Sequence, residues 1–166
     1  MSKPSRRQRE ERRSILVICA VFALVLIAGF GALWWTNGGG PIEPMVTVYR
    51  SETCQCCERW VRQLAAQGFR IRRGSPAEWA GVRAHYGLPP ALQACHTAVV
   101  EGLLIEGHVP AADVRKLLAN RHGALGLVLP GMPAGSPGME SAQPEPYTVL
   151  ALYPAGEVRP FSRHQP

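Results

Sequence analysis

The chain lacks a basic surface outside its first residues, although its formal net charge is +6. Residues 1–14 hold six Lys or Arg against two Glu, a net of +4, so only about +2 remains for the other residues. No Lys/Arg run and no alternation of basic and aromatic residues occurs after Trp35, and nucleic-acid-binding surfaces need such features. We therefore expect no nucleic-acid partner. Internal repeats are also absent, and 166 residues favour one domain with accessory segments.

Charged residues are absent from residues 15–35, an apolar run of 21 residues. At about 1.5 Å per helical residue, this run matches the roughly 30 Å hydrocarbon core of a bilayer. The basic segment 1–14 should stay in the cytoplasm. A cleaved signal peptide is the alternative, but no small-x-small cleavage site follows the run. We predict a single-pass anchor in the cytoplasmic membrane, with the C-terminal part in the periplasm.

After the anchor, residues 36–44 are a Gly/Pro-rich segment that predicts a linker, and residues 45–166 are predicted to form the exported domain. Periodicity and turn residues predict an α/β domain with the order βαβα-ββα, followed by a C-terminal β-hairpin. The predicted strands are 45–49, 69–72, 97–100 and 103–108, the helices 54–68, 75–86 and 110–120, and the hairpin 147–161. This is the element order of the thioredoxin fold.

Four of the five cysteines lie in the predicted domain, and three of them crowd into Cys54-Gln55-Cys56-Cys57. This motif lies where a strand ends and a helix begins, and free N–H groups at a helix start favour thiolates. A purely structural set of disulfides would not place three thiols in four residues. A metal–thiolate site and a thiol–disulfide redox site both remain open, and the spacing favours the metal site.

Cys95 and His96 precede the third predicted strand. In a thioredoxin-like order this segment faces the start of the cysteine-rich helix. Oxidoreductases of that fold usually carry a cis-proline, followed by Thr or a similar residue, at the position that His96 takes here. The missing proline weakens the case for disulfide exchange with protein substrates. We predict that both side chains direct donor atoms towards the helix cysteines. Soft thiolates select Cu(I), zinc or iron–sulfur clusters, and the adjacent Cys56 and Cys57 fit tetrahedral zinc poorly.

Two methionines favour copper over the other metals. Met132 and Met139 lie in the Gly/Pro-rich segment 131–139, where exposed methionine has no packing role, and thioethers bind Cu(I). His108 follows the fourth strand and fits either a ligand or a structural role. Four cysteines around one cavity can share thiolates, so more than one Cu(I) fits the site. The predicted metal residues are Cys54, Cys56, Cys57, Cys95, His96, His108, Met132 and Met139.

Four motifs are similar to those of the CopG-type family of bacterial copper-resistance proteins, long catalogued as a metal-binding domain of unknown function. They are Cys-x-Cys-Cys-x-x-Trp, Cys-His-Thr-Ala, Glu-Gly-His-Val-Pro-Ala and Gly-Met-Pro-x-Gly-Ser-Pro-Gly-Met, within residues 46–161. Gln55 departs from the expected glycine. The resemblance implies a thioredoxin-like fold and periplasmic copper binding centred on the four cysteines, with the methionine loop nearby.

Two classes of function therefore remain open. The first is copper sequestration, relay or copper redox, with copper ions, the cytoplasmic membrane and periplasmic copper-handling proteins as expected partners. The alternative is a thiol–disulfide oxidoreductase of thioredoxin type.

Overall fold

A computed structural model describes residue 16, residues 18–27, residue 29 and residues 43–165. The described residues before 30 are helical, and none of the helices in the described ranges is long and apolar enough to cross a membrane. The predicted basic segment 1–14, both ends of the predicted anchor 15–35 and most of the linker 36–44 lie outside the described residues, so they stay predictions. Residues 43–165 belong to one compact unit.

This unit is built on a mixed sheet of seven strands in the described part of the chain, in the order β2-β1-β3-β4-β5-β6-β7. Strands β1 and β2 are parallel, and β3 is antiparallel to its neighbours β1 and β4. Strands β4 and β5 are parallel, and β6 and β7 form an antiparallel hairpin. The strands are Met45–Arg50, Arg70–Arg73, His96–Val100, Leu103–Glu106, Gly126–Val128, Tyr147–Leu152 and Val158–His164.

Three α-helices connect these strands: α1 Gln55–Ala66, α2 Trp79–His85 and α3 Ala111–Ala119. The predicted order βαβα-ββα is therefore present, and the domain is α/β as predicted. Helix α1 turns Cys57, Trp60 and Leu64 inward, and all three side chains are buried, as their i, i+3, i+7 spacing predicts. The main apolar core lies between this face, α3 and strands β1, β3, β4 and β5.

The structure adds one strand to the predicted elements and ends another earlier than predicted. Strand β5 was not predicted, because three residues between turns carry no period. At Gly126 a Cβ would lie 2.1 Å from Leu104 O, so only glycine allows this close pairing with β4. Strand β5 joins the C-terminal hairpin to the main sheet. Strand β4 ends at Glu106 rather than at residue 108, because Gly107 turns the chain at a φ of 77°.

Candidate metal centre

The three helix cysteines lie at the N-terminal end of α1. Cys54 is the N-cap, and its Sγ accepts a hydrogen bond from Cys57 N at 3.3 Å. Cys54 and Cys57 form a disulfide in this structure, and Cys56 Sγ lies 3.4 Å from Cys54 Sγ. Cys57 is fully buried, whereas Cys54 and Cys56 are partly exposed. Cys57 therefore lies on the inner face of α1, and Cys54 and Cys56 lie at its rim.

Cys95 brings a fourth sulfur to the start of α1. Strand β1 leads into α1. The last residue of β1, Arg50, pairs with His96 at the start of β3. This register places Cys95 beside the helix cysteines, with its Sγ 3.5 Å from Cys57 Sγ. The sulfurs of all four cysteines lie within 4.8 Å of one another. The predicted convergence of the two cysteine motifs is therefore present.

Two histidines form a second donor group that shares Cys95. Cys95 Sγ lies 3.1 Å from His108 Nε2 and 3.4 Å from His96 Nδ1. His108 Nδ1 lies 2.8 Å from Pro137 O. Because a carbonyl oxygen only accepts, Nδ1 carries the proton and Nε2 keeps its lone pair towards Cys95. Ligating histidines commonly have this arrangement, in which the other ring nitrogen donates to a backbone carbonyl.

His96 is one of the fully buried donors of the centre. Its fully buried ring lies between Trp60 and His108, with centroid distances of 4.3 Å and 4.9 Å. Its Nε2 has no hydrogen-bond partner among the described residues. A buried polar atom without a partner costs about 1–3 kcal/mol. The ring nitrogen that faces Cys95 is Nδ1, and the residues present fit a metal because a thiol and two buried imidazoles bring donor atoms together within 4.8 Å of one another.

Burial also sets the protonation states that a metal would meet. It lowers the pKa of His96 to about 3, with a smaller contribution from His108, and it lowers the pKa of His108. Both imidazoles are therefore neutral, which is the form that binds metals. Burial first, and then the nearby Cys56, raise the pKa of the Cys95 thiol to about 12. A cation must therefore displace the proton of Cys95, so metal binding should release protons.

Comparisons with known proteins give one family model and two solved structures that resemble this chain. A family model described as "Protein of unknown function, DUF411" matches residues 92–139, the stretch that carries Cys95, both histidines and the methionine loop. Two solved structures named Copper resistance protein copG match with TM-scores of 0.68, Form 1 at 38% identity and Form 2 at 36%. Each match covers 74% of this chain, with 98% of the Form 1 chain and 99% of the Form 2 chain.

The chain belongs to the CopG-type family of copper-resistance proteins. No curated protein matches it.

In this CopG-type domain the methionine loop, residues 131–139, contacts the centre through its backbone. His108 Nδ1 donates a hydrogen bond to Pro137 O, and Arg59 Nε donates one to Gly138 O at 2.9 Å. A Cβ at Gly138 would lie 2.7 Å from Cys56 O, so the loop packs directly on α1. These contacts have no signal in the sequence beyond the glycine itself, and sequence reasoning missed them.

The sulfur atoms of the loop play no part in those contacts. Within the loop, Met139 N donates to Ser136 O at 2.8 Å, and Ser136 Oγ donates to Pro133 O at 2.7 Å. These hydrogen bonds explain its order, so a thioether–copper bond is not needed to hold it. Met132 is 53% exposed and Met139 is partly buried. Ligation by either methionine stays a prediction.

Proposed function

We propose that this chain binds Cu(I) as its cargo, in the centre formed by Cys54, Cys56, Cys57 and Cys95 with His96 and His108. The observation that carries the proposal is the position of Cys95, whose sulfur belongs to both donor groups. Thiolates and neutral imidazoles suit both Cu(I) and zinc, and the adjacent Cys56 and Cys57 fit tetrahedral zinc poorly. The two solved relatives are named as copper-resistance proteins, which supports the same ion. A sulfur shared by two donor groups also suits more than one Cu(I).

The fold and the predicted anchor extend the proposal to a place in the cell. The order β2-β1-β3-β4, with β3 antiparallel to its neighbours, supports a thioredoxin-like domain. The apolar run 15–35 and the basic segment before it support a domain on the periplasmic side of the cytoplasmic membrane. There the centre would sequester copper, relay it to periplasmic copper-handling proteins or change its oxidation state. A thioether contribution from Met132 and Met139 belongs to the same proposal.

The disulfide determines which donors are available. In the oxidised chain the Cys54–Cys57 bond occupies two of the four sulfurs, so Cys56, Cys95 and the two histidines remain. Two electrons and two protons convert the disulfide to two thiols, and a soft cation can then displace the thiol protons. We therefore expect the reduced chain to bind copper more tightly than the oxidised chain.

The test is a titration of the reduced full-length chain with Cu(I), under anaerobic conditions and in competition with a Cu(I) chelator. We expect the parent to retain Cu(I), and Cys95→Ser to lose most of it because both donor groups lose a ligand. The matched control is Cys19→Ser, since Cys19 is a free cysteine outside the domain. Equal retention by Cys95→Ser and Cys19→Ser contradicts the proposal.

A second candidate function is thiol–disulfide exchange. The Cys54–Cys57 disulfide favours it, because free thiols of Cys56 and Cys95 lie 3.4 Å and 3.5 Å from its two sulfurs. The histidine in place of proline before Thr97 counts against protein substrates. Reduction of a protein disulfide by the dithiol form, measured with and without Cu(I), separates the two functions. Turnover that copper leaves unchanged would favour exchange over copper binding.

A further inference from the structure

The sulfur of Cys95 lies close to other donor atoms of the centre, although Cys95 is outside regular secondary structure. It lies between a 3₁₀ turn, Pro90–Leu92, and the start of β3 at His96. Its sulfur nevertheless lies within 3.1–3.5 Å of three donor atoms on other residues. Backbone of this kind is mobile unless other groups bind it. Its position therefore depends on contacts made by residues outside the donor set.

Glu106 and Arg83 bind the residue immediately before Cys95. Ala94 N donates to Glu106 Oε1 at 2.7 Å, and Arg83 Nη2 donates to Ala94 O at 2.6 Å. Arg83 Nη2 also lies 2.5 Å from Glu106 Oε1, so the two side chains form an ion pair. Both backbone polar groups of Ala94 are therefore held by one pair of side chains.

Thr97 completes the attachment on the other side of Cys95. Its Oγ1 donates to Glu106 Oε2 at 2.6 Å and accepts from Arg83 Nε at 3.0 Å. Trp79 Nε1 also donates to Thr97 Oγ1, at 2.7 Å. Trp79 and Arg83 both belong to α2, so this short helix is bonded directly to the start of β3. Cys95 and His96 thus lie between two residues that the same carboxylate binds.

Stability alone does not explain a charged pair at this place. The Glu106 side chain is 0% exposed and that of Arg83 is 15% exposed. The desolvation of a buried pair commonly exceeds its Coulombic attraction, and apolar replacements are often as stable. A directional carboxylate–guanidinium pair does fix one geometry, because both groups impose their bonding angles. The desolvation cost of the Glu106–Arg83 pair is therefore consistent with a role in positioning the segment around Cys95.

We propose that Glu106 and Arg83 are positioning residues that hold the Cys95 sulfur against Cys57 and His108. The proposal deepens the copper-binding function and rests on it for its purpose, but the position of the sulfur can be measured without copper. A shift of about 1 Å in a reactive group is enough to lose most of its effect. Removal of the pair should therefore separate the two donor groups without removing a ligand.

The test measures how close the two sulfurs stay. In the full chain carrying Cys19→Ser, Cys54→Ser and Cys56→Ser, only Cys57 and Cys95 remain as thiols. Oxidised glutathione converts this pair to one disulfide and is itself reduced to two molecules of glutathione. The equilibrium ratio of disulfide to dithiol protein, at known concentrations of oxidised and reduced glutathione, gives the effective concentration of one protein thiol at the other. We expect Arg83→Met to lower this effective concentration at least tenfold.

The matched control is Arg121→Met, which removes the exposed pair between Arg121 and Glu101, whose charged atoms lie 3.6 Å apart. It should leave the effective concentration unchanged. Arg83→Met leaves Glu106 buried without its partner, and such a variant can fail to fold. The double variant Arg83→Met, Glu106→Gln keeps no unpaired buried charge and therefore serves as the second test. Circular dichroism and denaturant unfolding identify the folded variants.

An unchanged effective concentration in a folded variant that lacks the pair overturns the proposal. The same substitutions in the chain with all of its cysteines should weaken Cu(I) retention. If the effective concentration falls and Cu(I) retention does not, the positioning role stands and the ligand role of Cys95 fails. The two proposals can therefore fail separately.

Discussion

Replacement of Gly138 by alanine should weaken the metal centre, although Gly138 carries no ligand atom. Gly138 has a φ of 84° and packs on the first turn of α1. A Cβ there would lie 2.7 Å from Cys56 O and 2.9 Å from Trp60 N. Both are backbone atoms of a helix, so the loop must move instead. That movement takes Pro137 O away from His108 Nδ1, and His108 loses the bond that orients it.

The expected magnitude has two parts. An alanine in the left-handed region costs about 1–2 kcal/mol, which should appear as lower stability. The loss of a hydrogen bond that orients a ligating histidine typically lowers metal affinity by about 10–100-fold. At about 1.4 kcal/mol per tenfold change, this corresponds to about 1.4–2.8 kcal/mol of binding free energy.

The control is Gly131→Ala in the same loop. Gly131 has a φ of 72°, and a Cβ there would meet nothing within 4 Å. Both variants therefore carry the backbone strain, but only Gly138→Ala carries the clash. Denaturant unfolding should show a loss of stability for both variants, larger for Gly138→Ala because of the clash, whereas competition with a Cu(I) chelator should show weaker binding for Gly138→Ala alone. Equal Cu(I) affinities of the two variants would refute the reasoning.

Four further predictions follow from the same centre and from the predicted anchor. Cys56→Ser should remove most of the bound copper, measured by metal analysis, because bridging thiolates hold several ions at once; full copper content would favour a plain Cys54–Cys57 pair. The double variant Met132→Ala, Met139→Ala should weaken Cu(I) retention more at pH 5 than at pH 7, since thioethers do not bind protons, and equal retention by variant and parent at both pH values would make these methionines loop residues only. Burial lowers the pKa of His96 from 6.5 to about 3, so the stability that depends on neutral His96 is complete above about pH 6.5 and is lost as the pH falls towards 3. Denaturant unfolding of the metal-free chain should therefore show about 2 kcal/mol less stability at pH 5 than at pH 7, and a folded His96→Gln variant with the same pH dependence would contradict this origin. Cell fractionation should find the full-length chain in the membrane fraction, and a soluble periplasmic form that begins near residue 36 would contradict the uncleaved anchor.

Local order was predictable because it depends on neighbours in the chain. The spacing of Cys57, Trp60 and Leu64 predicts both the helix and its buried face, and α1 has that face. The position of the cysteine motif between a strand and this helix predicts thiols at the helix start, and there the sulfur of Cys54 accepts the hydrogen bond from Cys57 N. The motifs also led to the CopG-type family, which the comparisons then showed. Each of these inferences needed only periodicity, helix-end chemistry or residue types at fixed spacing.

The remaining features depend on residues far apart in the chain. Strand β5 is too short for a period, and only its pairing with β4 and β6 makes it a strand. His108 turns its Nε2 towards Cys95 because its Nδ1 lies 2.8 Å from Pro137 O, 29 residues away. Every residue has a backbone carbonyl, so the sequence does not indicate which carbonyl accepts a hydrogen bond from His108.

The same reason applies to the charges around Cys95. Arg83 and Glu106 are separated by 23 residues, and neither stands out in its own segment of the sequence. Residue types and spacing therefore determined which donor atoms this protein carries. The register of β1, β3 and β4 and the position of the loop on α1 determined how those atoms meet, because distances between remote side chains depend on the packing of the whole sheet.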